Sequence, residues 1–356
     1  MINNEETIYL LEEFKIPYLS EFCPENWKDW YHYILHDPKT GILFLYNLCF
    51  NGKPETGYIT ESIFLTLPST FNNGQLPGLA KSGTYGYARN RKWEKGDLVT
   101  SPTKFHCNDI SFSITSPGDV NFSTSNFQAG IFFRLTGTPI ATPVYVPELA
   151  PYGDSFIGWG VIPGYRMEGE IIIGNNLIPV NSEWYCYHDR NFGRFHWGEI
   201  GWTWFVFNAI DNYSESWTYV LHRNNNNDHT KFGLPILFVY HKNILHKIFF
   251  GTTIRINITW EKDDKLTPVL PGALASIFNN RRILAPKKII INASDGKDEI
   301  SIRMSIHTFS ELIIPDNRKK QYTFLKELSG SAKSNQFLNS KKTFCKKGFF
   351  YAELVH

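Results

Sequence analysis

The sequence has few of the features that mark disulfide-stabilised or membrane-spanning helical proteins. Its five cysteines are odd in number, scattered along the chain and form no Cys-x-x-Cys pair. A disulfide framework is therefore not expected, and a reduced, cytoplasmic protein is predicted. The N-terminus has neither a basic nor an apolar stretch of the signal-peptide kind, and no apolar run is long enough to span a membrane.

An excess of either charge is also missing, since 36 basic side chains face 34 acidic ones. Proteins that neutralise a nucleic-acid backbone usually carry a basic excess or stripe, so no nucleic-acid partner is predicted. Lysine and arginine collect late in the chain, at residues 318–320, 341–342 and 346–347. These clusters indicate a solvated surface with edge-protecting lysines, and peripheral contact with an anionic membrane is the alternative.

Aromatic residues, in contrast, are abundant, with ten Trp, 18 Tyr and 28 Phe. Short runs of aromatic and β-branched residues alternate with Gly, Pro and Asn, as between Trp30–Leu35 and Gly41–Phe50. Cross-strand aromatic pairs stabilise antiparallel sheets, and turn residues at short intervals punctuate them. We predict an all-β protein with few short helices, at Leu274–Asn279 and Tyr322–Leu328.

The number of strand signals, about sixteen, suits two β-barrels better than one. The predicted boundary falls between Gly193 and Gly201, which gives an N-terminal domain at residues 1–198 and a C-terminal domain at residues 199–356. Residues 68–97 are predicted to form a long surface excursion, and residues 138–151 a Pro-rich crossing. Asn224–Asn227 is predicted to be a loop tip.

The most specific segment is Tyr187-His188-Asp189-Arg190-Asn191-Phe192-Gly193, which precedes Trp202-Thr-Trp204. In an extended chain Tyr187, Asp189 and Asn191 point to one face because they occupy alternate positions. They would form a polar cluster in aromatic surroundings. Burying such groups costs free energy unless they pair with one another or with a ligand.

This segment resembles the Tyr-x-Asp-x-Asn-x-Gly motif and following Trp-x-Trp of the carotenoid 1,2-hydratase/AttH-like lipocalin superfamily, which includes Diels-Alderase-type cyclases. Weaker similarity runs from about Trp27 to Glu353. The resemblance implies two tandem lipocalin-like antiparallel β-barrels with a hydrophobic pocket at their junction. It departs at Arg190, where many relatives have His, and at Phe192, where many have Trp.

Two interpretations of Asp189 follow. In the structural one, Asp189 and Asn191 tie the inter-domain crossing to backbone N–H groups. In the functional one, desolvation raises the pKa of Asp189 so that it can donate a proton near neutral pH. A neighbouring Arg190 would oppose that rise, so the side chain that faces Asp189 decides between an acid and a fixed carboxylate acceptor.

The resemblance implies catalytic roles for Tyr187 and Asp189, since the matching pair is implicated in alkene protonation, and we add Asn191 as a hydrogen-bond donor. Trp159 could offer a π-face to a developing cation or be a core residue. No metal site is predicted, because His188 and His196 have no third ligand at a suitable spacing. His32, His36 and Asp37 are assigned to a hairpin end. The predicted substrate-binding residues are Trp159, His188, Arg190, Trp202, Trp204 and Tyr31.

The predicted function is a cofactor-independent cyclase, of the Diels-Alderase type, acting on a large hydrophobic intermediate such as a polyketide, terpenoid or carotenoid-like chain. Orientation of the substrate and polarisation of a carbonyl could supply the rate enhancement. The alternatives are a hydratase that adds water to an isoprenoid double bond through Asp189 and a non-catalytic carrier of lipophilic ligands.

Overall fold

The computed structural model describes residues 4–13, 15, 26–52, 56–67, 84–94, 98–101, 103–107, 109–115, 119–126, 130–152, 155–226, 230–263, 269–270, 283–316 and 321–355. Within these ranges lie one α-helix, α1 (Asn4–Glu12), one 3-10 turn (Gly251–Thr253) and 24 strands. The all-β prediction is confirmed. The chain divides into two compact units, Met1–Phe195 and His196–His356.

The first unit contains α1 and fourteen strands. These are β1 (Trp27–His36), β2 (Leu43–Asn51), β3 (Tyr58–Thr66), β4 (Thr84–Lys92), β5 (Leu98–Ser101), β6 (Lys104–Cys107), β7 (Ile110–Thr115), β8 (Asp119–Asn126), β9 (Ile131–Pro139), β10 (Val144–Tyr152), β11 (Ser155–Ile162), β12 (Tyr165–Ile173), β13 (Asn176–Val180) and β14 (Tyr185–Arg194).

These strands form two seven-stranded antiparallel sheets, in the orders β10-β11-β14-β1-β2-β3-β4 and β13-β12-β9-β8-β7-β6-β5. The core between the sheets contains many aromatic side chains. Tyr31 lies 4.9 Å from Phe112, and Tyr46 lies 5.0 Å from Phe133, measured between ring centroids. Such pairs contribute about 0.5–1.5 kcal/mol each beyond area burial, which accounts for much of the high aromatic content.

The second unit contains the remaining ten strands. These are β15 (Ile200–Ile210), β16 (Ser216–Asn226), β17 (Ile236–His241), β18 (Ile244–Phe250), β19 (Ile254–Asp263), β20 (Val269–Leu270), β21 (Ile283–Ser294), β22 (Glu299–Asp316), β23 (Gln321–Leu338) and β24 (Lys341–Val355).

They form one sheet in the order β18-β17-β16-β15-β24-β23-β22-β21-β19, with β20 paired to β22. The sheet curls into a half-barrel, and residues from distant strands, such as Leu237 of β17 and Ile289 of β21, belong to one buried cluster. This core is richer in aliphatic side chains than the first, with Ile291, Ile302 and Met304 among its fully buried members.

Several local predictions are wrong. Tyr322–Leu328 is part of strand β23, not a helix, because each residue pairs across to β22 and the long sheet overrides the helix-forming Leu-Lys-Glu-Leu. The other predicted helix, Leu274–Asn279, lies outside the described residues. Helix α1 was not predicted.

Two predicted connections also contain strands. Within residues 68–97, β4 pairs with β3 and buries Tyr85 in the core, while residues 68–83 and 95–97 lie outside the described part. Within the Pro-rich crossing, β10 is the edge strand of its sheet. An edge position tolerates Pro147 and Pro151, since a missing N–H there breaks no inner ladder.

The predicted loop tip at Asn224–Asn227 is a strand end as far as Asn226, and Asn227 lies outside the described residues. Asn224 and Asn225 are buried, and Asn225 pairs with Gly201 of β15. The described residues include no helix long and apolar enough to cross a membrane. Cys49, Cys107, Cys186 and Cys345 are buried, and none of these four forms a disulfide bond.

Candidate active site

Strand β14 carries the Tyr-x-Asp-x-Asn motif and is a central strand, paired with β1 on one side and β11 on the other. Its side chains alternate between the two faces of the sheet. Cys186 belongs to the inter-sheet core, so His188 and Arg190 also point to that side. Tyr187, Asp189 and Asn191 point to the opposite side, on one face as their alternate positions predict.

Asp189 is the centre of a buried hydrogen-bond cluster on that face. The Tyr187 hydroxyl donates to Oδ2 of Asp189 at 2.7 Å, and Trp159 Nε1 of β11 donates to the same oxygen at 3.3 Å. Asn191 Nδ2 donates to Oδ1 at 3.2 Å. Three neutral donors therefore hold the carboxyl group in one orientation.

His32 of β1 also approaches this carboxyl group, with its Nδ1 3.7 Å from Asp189 Oδ1. Burial, and secondarily the charge of His188, lowers the pKa of His32 to about 3. The ring is therefore neutral near pH 7 and supplies no counter-charge to Asp189. This position corrects the assignment of His32 to a hairpin end, since it lies in the middle of β1.

The pKa of Asp189 is raised to about 6, mainly because burial disfavours the charged form. The hydrogen bonds from Tyr187 and Trp159 and the charge of His188 oppose the rise without cancelling it. A carboxyl group with such a pKa exchanges its proton near neutral pH, which an ordinary surface aspartate does not.

Arg190 lies on the other side of the sheet, contrary to the prediction that it stands beside Asp189. Its guanidinium stacks 3.4 Å from the centroid of the Tyr31 ring and forms a fully buried ion pair with Asp29. It also donates to the carbonyl oxygen of Glu12 at 2.8 Å, at the C-terminus of α1, where a cation is favoured. Arg190 and Tyr31 thus anchor the helix rather than share the surroundings of Asp189.

His188 is part of the same inter-sheet cluster and not of the Asp189 face. Its Nε2 lies 3.0 Å from Oε1 of Glu12, and its Nδ1 donates to the carbonyl oxygen of His32 at 2.9 Å. Tyr165 donates to the same Glu12 oxygen at 2.8 Å. The predicted substrate-binding residues His188, Arg190 and Tyr31 therefore lie together, but on the face that packs against α1.

Two glycines let the strands and helix approach this closely. Gly193, the last residue of the motif, has φ of +152°, and a Cβ there would stand 2.2 Å from the carbonyl oxygen of Phe156. A Cβ on Gly160 of β11 would stand 2.6 Å from Cγ of Leu11. The motif glycine therefore preserves the β11–β14 pairing, and Gly160 leaves room for α1.

Trp202 and Trp204, also predicted to bind substrate, are buried on β15 of the second unit. Trp202 Nε1 donates to Glu353 at 3.0 Å, and Trp204 packs at an angle to Tyr351. Glu353 is the cross-strand partner of Glu327, whose other neighbour is the Tyr351 hydroxyl at 2.6 Å. Burial raises the pKa of Glu327 to about 8, so this carboxyl pair holds a proton at neutral pH.

Four residues were not assigned to these clusters from the sequence. They are Glu12, Asp29 and His32 in the first unit and Glu327, the partner of Glu353, in the second. Of these, only His32 could have been found from the sequence, because it lies on the same strand face as Trp30 and Ile34 in a clear strand pattern. Among the described residues, no three His, Cys, Asp or Glu side chains form a group that could hold a metal ion.

Comparison with known proteins establishes the fold. A protein from Nitrosomonas europaea with the provisional name AttH matches with a TM-score of 0.59 and 11% identity over 96% of both chains. The chain has the AttH-like fold. Kievitone hydratase from Nectria haematococca matches at 0.56 and 12% over 97% of both chains. CghA, solved with Sch210972, matches at 0.57 and 9% over 96% of this chain and 91% of its own.

These three structures bear out the resemblance drawn from the motif, and one of them is named as a hydratase. At 9–12% identity the likeness extends to the fold. No family model matches the sequence, and no curated protein matches it.

Proposed function

We propose that the protein is a cofactor-independent enzyme that protonates a carbon–carbon double bond of a hydrophobic small molecule through Asp189, and that the reaction is hydration. The observation that carries the proposal is the environment of Asp189. Its bonded partners are the neutral donors Tyr187, Trp159 and Asn191, while Arg190 is turned to the other side of the sheet.

The protonation state of Asp189 suits a general acid. With a pKa of about 6, a fraction of the molecules carries the proton at pH 7, and the deprotonated form is an equally accessible base. In a hydration, the carboxylic acid gives its proton to one alkene carbon, which leaves a cation at the other. Water then adds to that cation and returns a proton to the carboxylate, so the catalyst is regenerated.

Trp159 supports the cationic step. Its indole N–H donates to Asp189, so the indole ring lies next to the proposed acid. The face of an indole attracts a cation, an effect that is larger when water is excluded, and Trp159 is fully buried. Tyr187 has a second role, because its bond to Oδ2, together with the Asn191 bond to Oδ1, fixes the orientation of the carboxyl group.

Cyclisation, the function first predicted, receives less support from this geometry. In that prediction, Tyr187 and Asn191 donate hydrogen bonds to a polarised carbonyl of the substrate. In the structure both donors are directed at Asp189. The reason for preferring cyclisation was an Arg190 cation beside Asp189, and that cation lies on the opposite face.

Cyclisation nevertheless stays the second candidate, since the family resemblance includes cyclases. CghA, which shares the fold, has been solved with the small molecule Sch210972. The two reactions differ in mass balance, because hydration adds one water and an intramolecular cyclisation leaves the mass unchanged.

The test is turnover of a panel of isoprenoid alkenes and linear polyenes in oxygen-labelled water, read by mass spectrometry. We expect a product that carries the label, and Asp189→Asn and Tyr187→Phe should each lower its formation by about a hundredfold or more. A product of unchanged mass would support cyclisation. Full turnover in both variants would leave only the structural interpretation of the motif.

Matched controls come from buried or half-buried pairs elsewhere in the first unit. Tyr46→Phe removes a tyrosine–carboxylate hydrogen bond of 2.8 Å to Glu61, and Asp109→Asn weakens the pair with Arg89. Both should keep wild-type turnover, because neither residue contacts the Asp189 cluster. Binding of the same lipophiles without turnover would support a carrier instead.

A further inference from the structure

Helix α1 has a buried acidic residue at its C-terminal end that the function proposed above does not use. Glu12 is fully buried, and its Oε1 lies 3.0 Å from His188 Nε2. Glu12 and His188 are 176 residues apart in sequence, so only the tertiary fold brings them together. A buried carboxylate costs free energy unless it is paired, so this contact fixes the helix end on the sheet.

The contacts continue from His188 through the sheet to Asp189. The other ring nitrogen of His188 donates to the backbone carbonyl of His32 at 2.9 Å. The ring of His32 projects to the far face, where its Nδ1 lies 3.7 Å from Asp189 Oδ1. A path of close contacts thus links α1 with the proposed acid.

Glu12 is held in its ionised form by its neighbours. Burial raises the pKa of Glu12, but the contact and hydrogen bond with His188, together with Arg190 and Tyr165, hold that pKa below its usual value. The His188 ring is in turn contacted at both nitrogens, by Glu12 and by the carbonyl oxygen of His32.

We propose that Glu12 is a positioning residue for Asp189, because its contact with His188 fixes the residue directly before the proton donor in the chain and, through His188, fixes β1 at His32. The inference rests on the proposed function of Asp189 and extends it to the N-terminal helix. Glu12 acts from the face of the sheet opposite to the proposed chemistry.

The charged and titratable groups around the two residues define the expected sign. Glu12 faces His188 and Arg190 from β14, Tyr165 from β12, and Tyr31 and Tyr33 from β1. Asp189 is influenced by Tyr187 and His188, with neutral His32 nearby. Of these, His188 is the group whose positive charge lowers the pKa of Asp189.

Glu12→Gln keeps the size of the side chain and the acceptor for Tyr165 but removes the negative charge. The contact that fixes His188 is thereby weakened. The charge of His188 is one of the influences that lower the pKa of Asp189, so a less firmly held ring should let that pKa rise by about half a unit or more. The alkaline limb of the turnover profile should move upward by the same amount.

The measurement is a carbon NMR titration of carboxyl-labelled aspartate in the full chain, with Asp189→Asn used to assign the signal. Tyr165→Phe is the matched control, because it removes the other hydrogen bond to Glu12 and leaves the charge in place. We expect a raised Asp189 pKa in Glu12→Gln and an unshifted one in Tyr165→Phe. An unshifted pKa in folded Glu12→Gln overturns the proposal.

A second measurement decides the matter where Glu12→Gln does not fold. A crystal structure of the wild-type protein should show the His188 ring held between Glu12 and the carbonyl oxygen of His32, and a ring that lacks either contact also overturns the proposal. Failure of the proposed function is visible separately, as turnover that survives Asp189→Asn, since the titration does not depend on catalysis.

Discussion

The two faces of the first sheet differ at β14 in whether buried charged groups have a partner of opposite charge. On the inter-sheet face, Arg190 pairs with Asp29, and His188 lies against Glu12. On the other face, the bonded donors of Asp189 are neutral, and burial raises its pKa to about 6. Consecutive residues of one strand thus divide into a structural, charge-balanced side and a side with an uncompensated carboxyl group.

The second unit offers an intermediate case. Glu327 and Glu353 are like charges that face each other across β23 and β24, and their bonded partners Tyr351 and Trp202 are neutral. Two buried carboxyl groups relieve their repulsion by sharing a proton. The three sites are the charge-paired face of β14, Asp189 and the Glu327–Glu353 pair, and all of them are buried. Their comparison indicates that the charge of the bonded partner, more than the depth of burial, decides whether a carboxyl group is ionised.

The largest expected effect comes from unbalancing the charge-paired face. Arg190→Met removes the ion-pair partner of Asp29 and the cation at the end of α1, leaving Asp29 buried without it. We expect a loss of about 3–5 kcal/mol in the free energy of unfolding, measured by urea denaturation at pH 7. Arg190→Lys keeps the charge and should lose less. An equally stable Arg190→Met protein would show that the pairing is dispensable.

The next largest effect is a gain, and not a loss, in the free energy of unfolding. The folded-state pKa of Asp189, about 6, lies above its ordinary value of 3.8, so ionisation destabilises the folded protein. The penalty is absent below pH 3.8 and complete above pH 6, where it amounts to about 3 kcal/mol. Asp189→Asn should therefore be more stable than wild type at pH 8 but not at pH 4. Lower stability of the variant at pH 8 would contradict this assignment.

A smaller effect concerns His32 on the same face. Its pKa falls from 6.5 to about 3 on folding, so the protein loses stability as the pH falls below 6.5. At pH 5 the penalty is about 2 kcal/mol, and His32→Gln should remove it. Thermal unfolding of both proteins between pH 5 and pH 7 measures this difference. Parallel pH dependence in the two would mean that His32 is charged in the folded state.

The smallest effect at neutral pH is expected in the second unit. Glu353→Gln replaces one member of a pair that already shares a proton, so stability at pH 7 should change little. Above pH 8 wild type must bury a second negative charge as Glu327 ionises, and the variant should then be the more stable protein. Unfolding curves of both proteins at pH 7 and pH 9 measure this change. If the stability difference between variant and wild type is the same at both pH values, the two carboxyl groups do not interact.

Much of the fold could be predicted because the local pattern agrees with it. The hairpin of β1 and β2 and the alternating run of β7 follow from period-two hydrophobicity and turn residues. The errors fall where local preference and sheet pairing disagree. Tyr322–Leu328 has helix-forming residues but is paired along its whole length, and β10 contains two prolines at a sheet edge.

The candidate site was predictable to the extent that it lies on one strand. Alternation alone places Tyr187, Asp189 and Asn191 on one face. Alternation also places Arg190 on the opposite face, although Arg190 directly follows Asp189 in the sequence and was therefore expected to contact it. Glu12 and Asp29 could not be found in this way, because they reach His188 and Arg190 from other elements.

By itself, the sequence determined the strand-rich fold and the grouping of three polar side chains, because both depend on a repeat of two residues along a strand. Only the tertiary structure decided which groups neutralise one another. Helix α1 brings Glu12 to His188, β1 brings Asp29 to Arg190, and Asp189 has no such partner among its bonded neighbours. Charge balance in a low-dielectric interior acts over a few ångströms in space, and distance along the chain does not specify it.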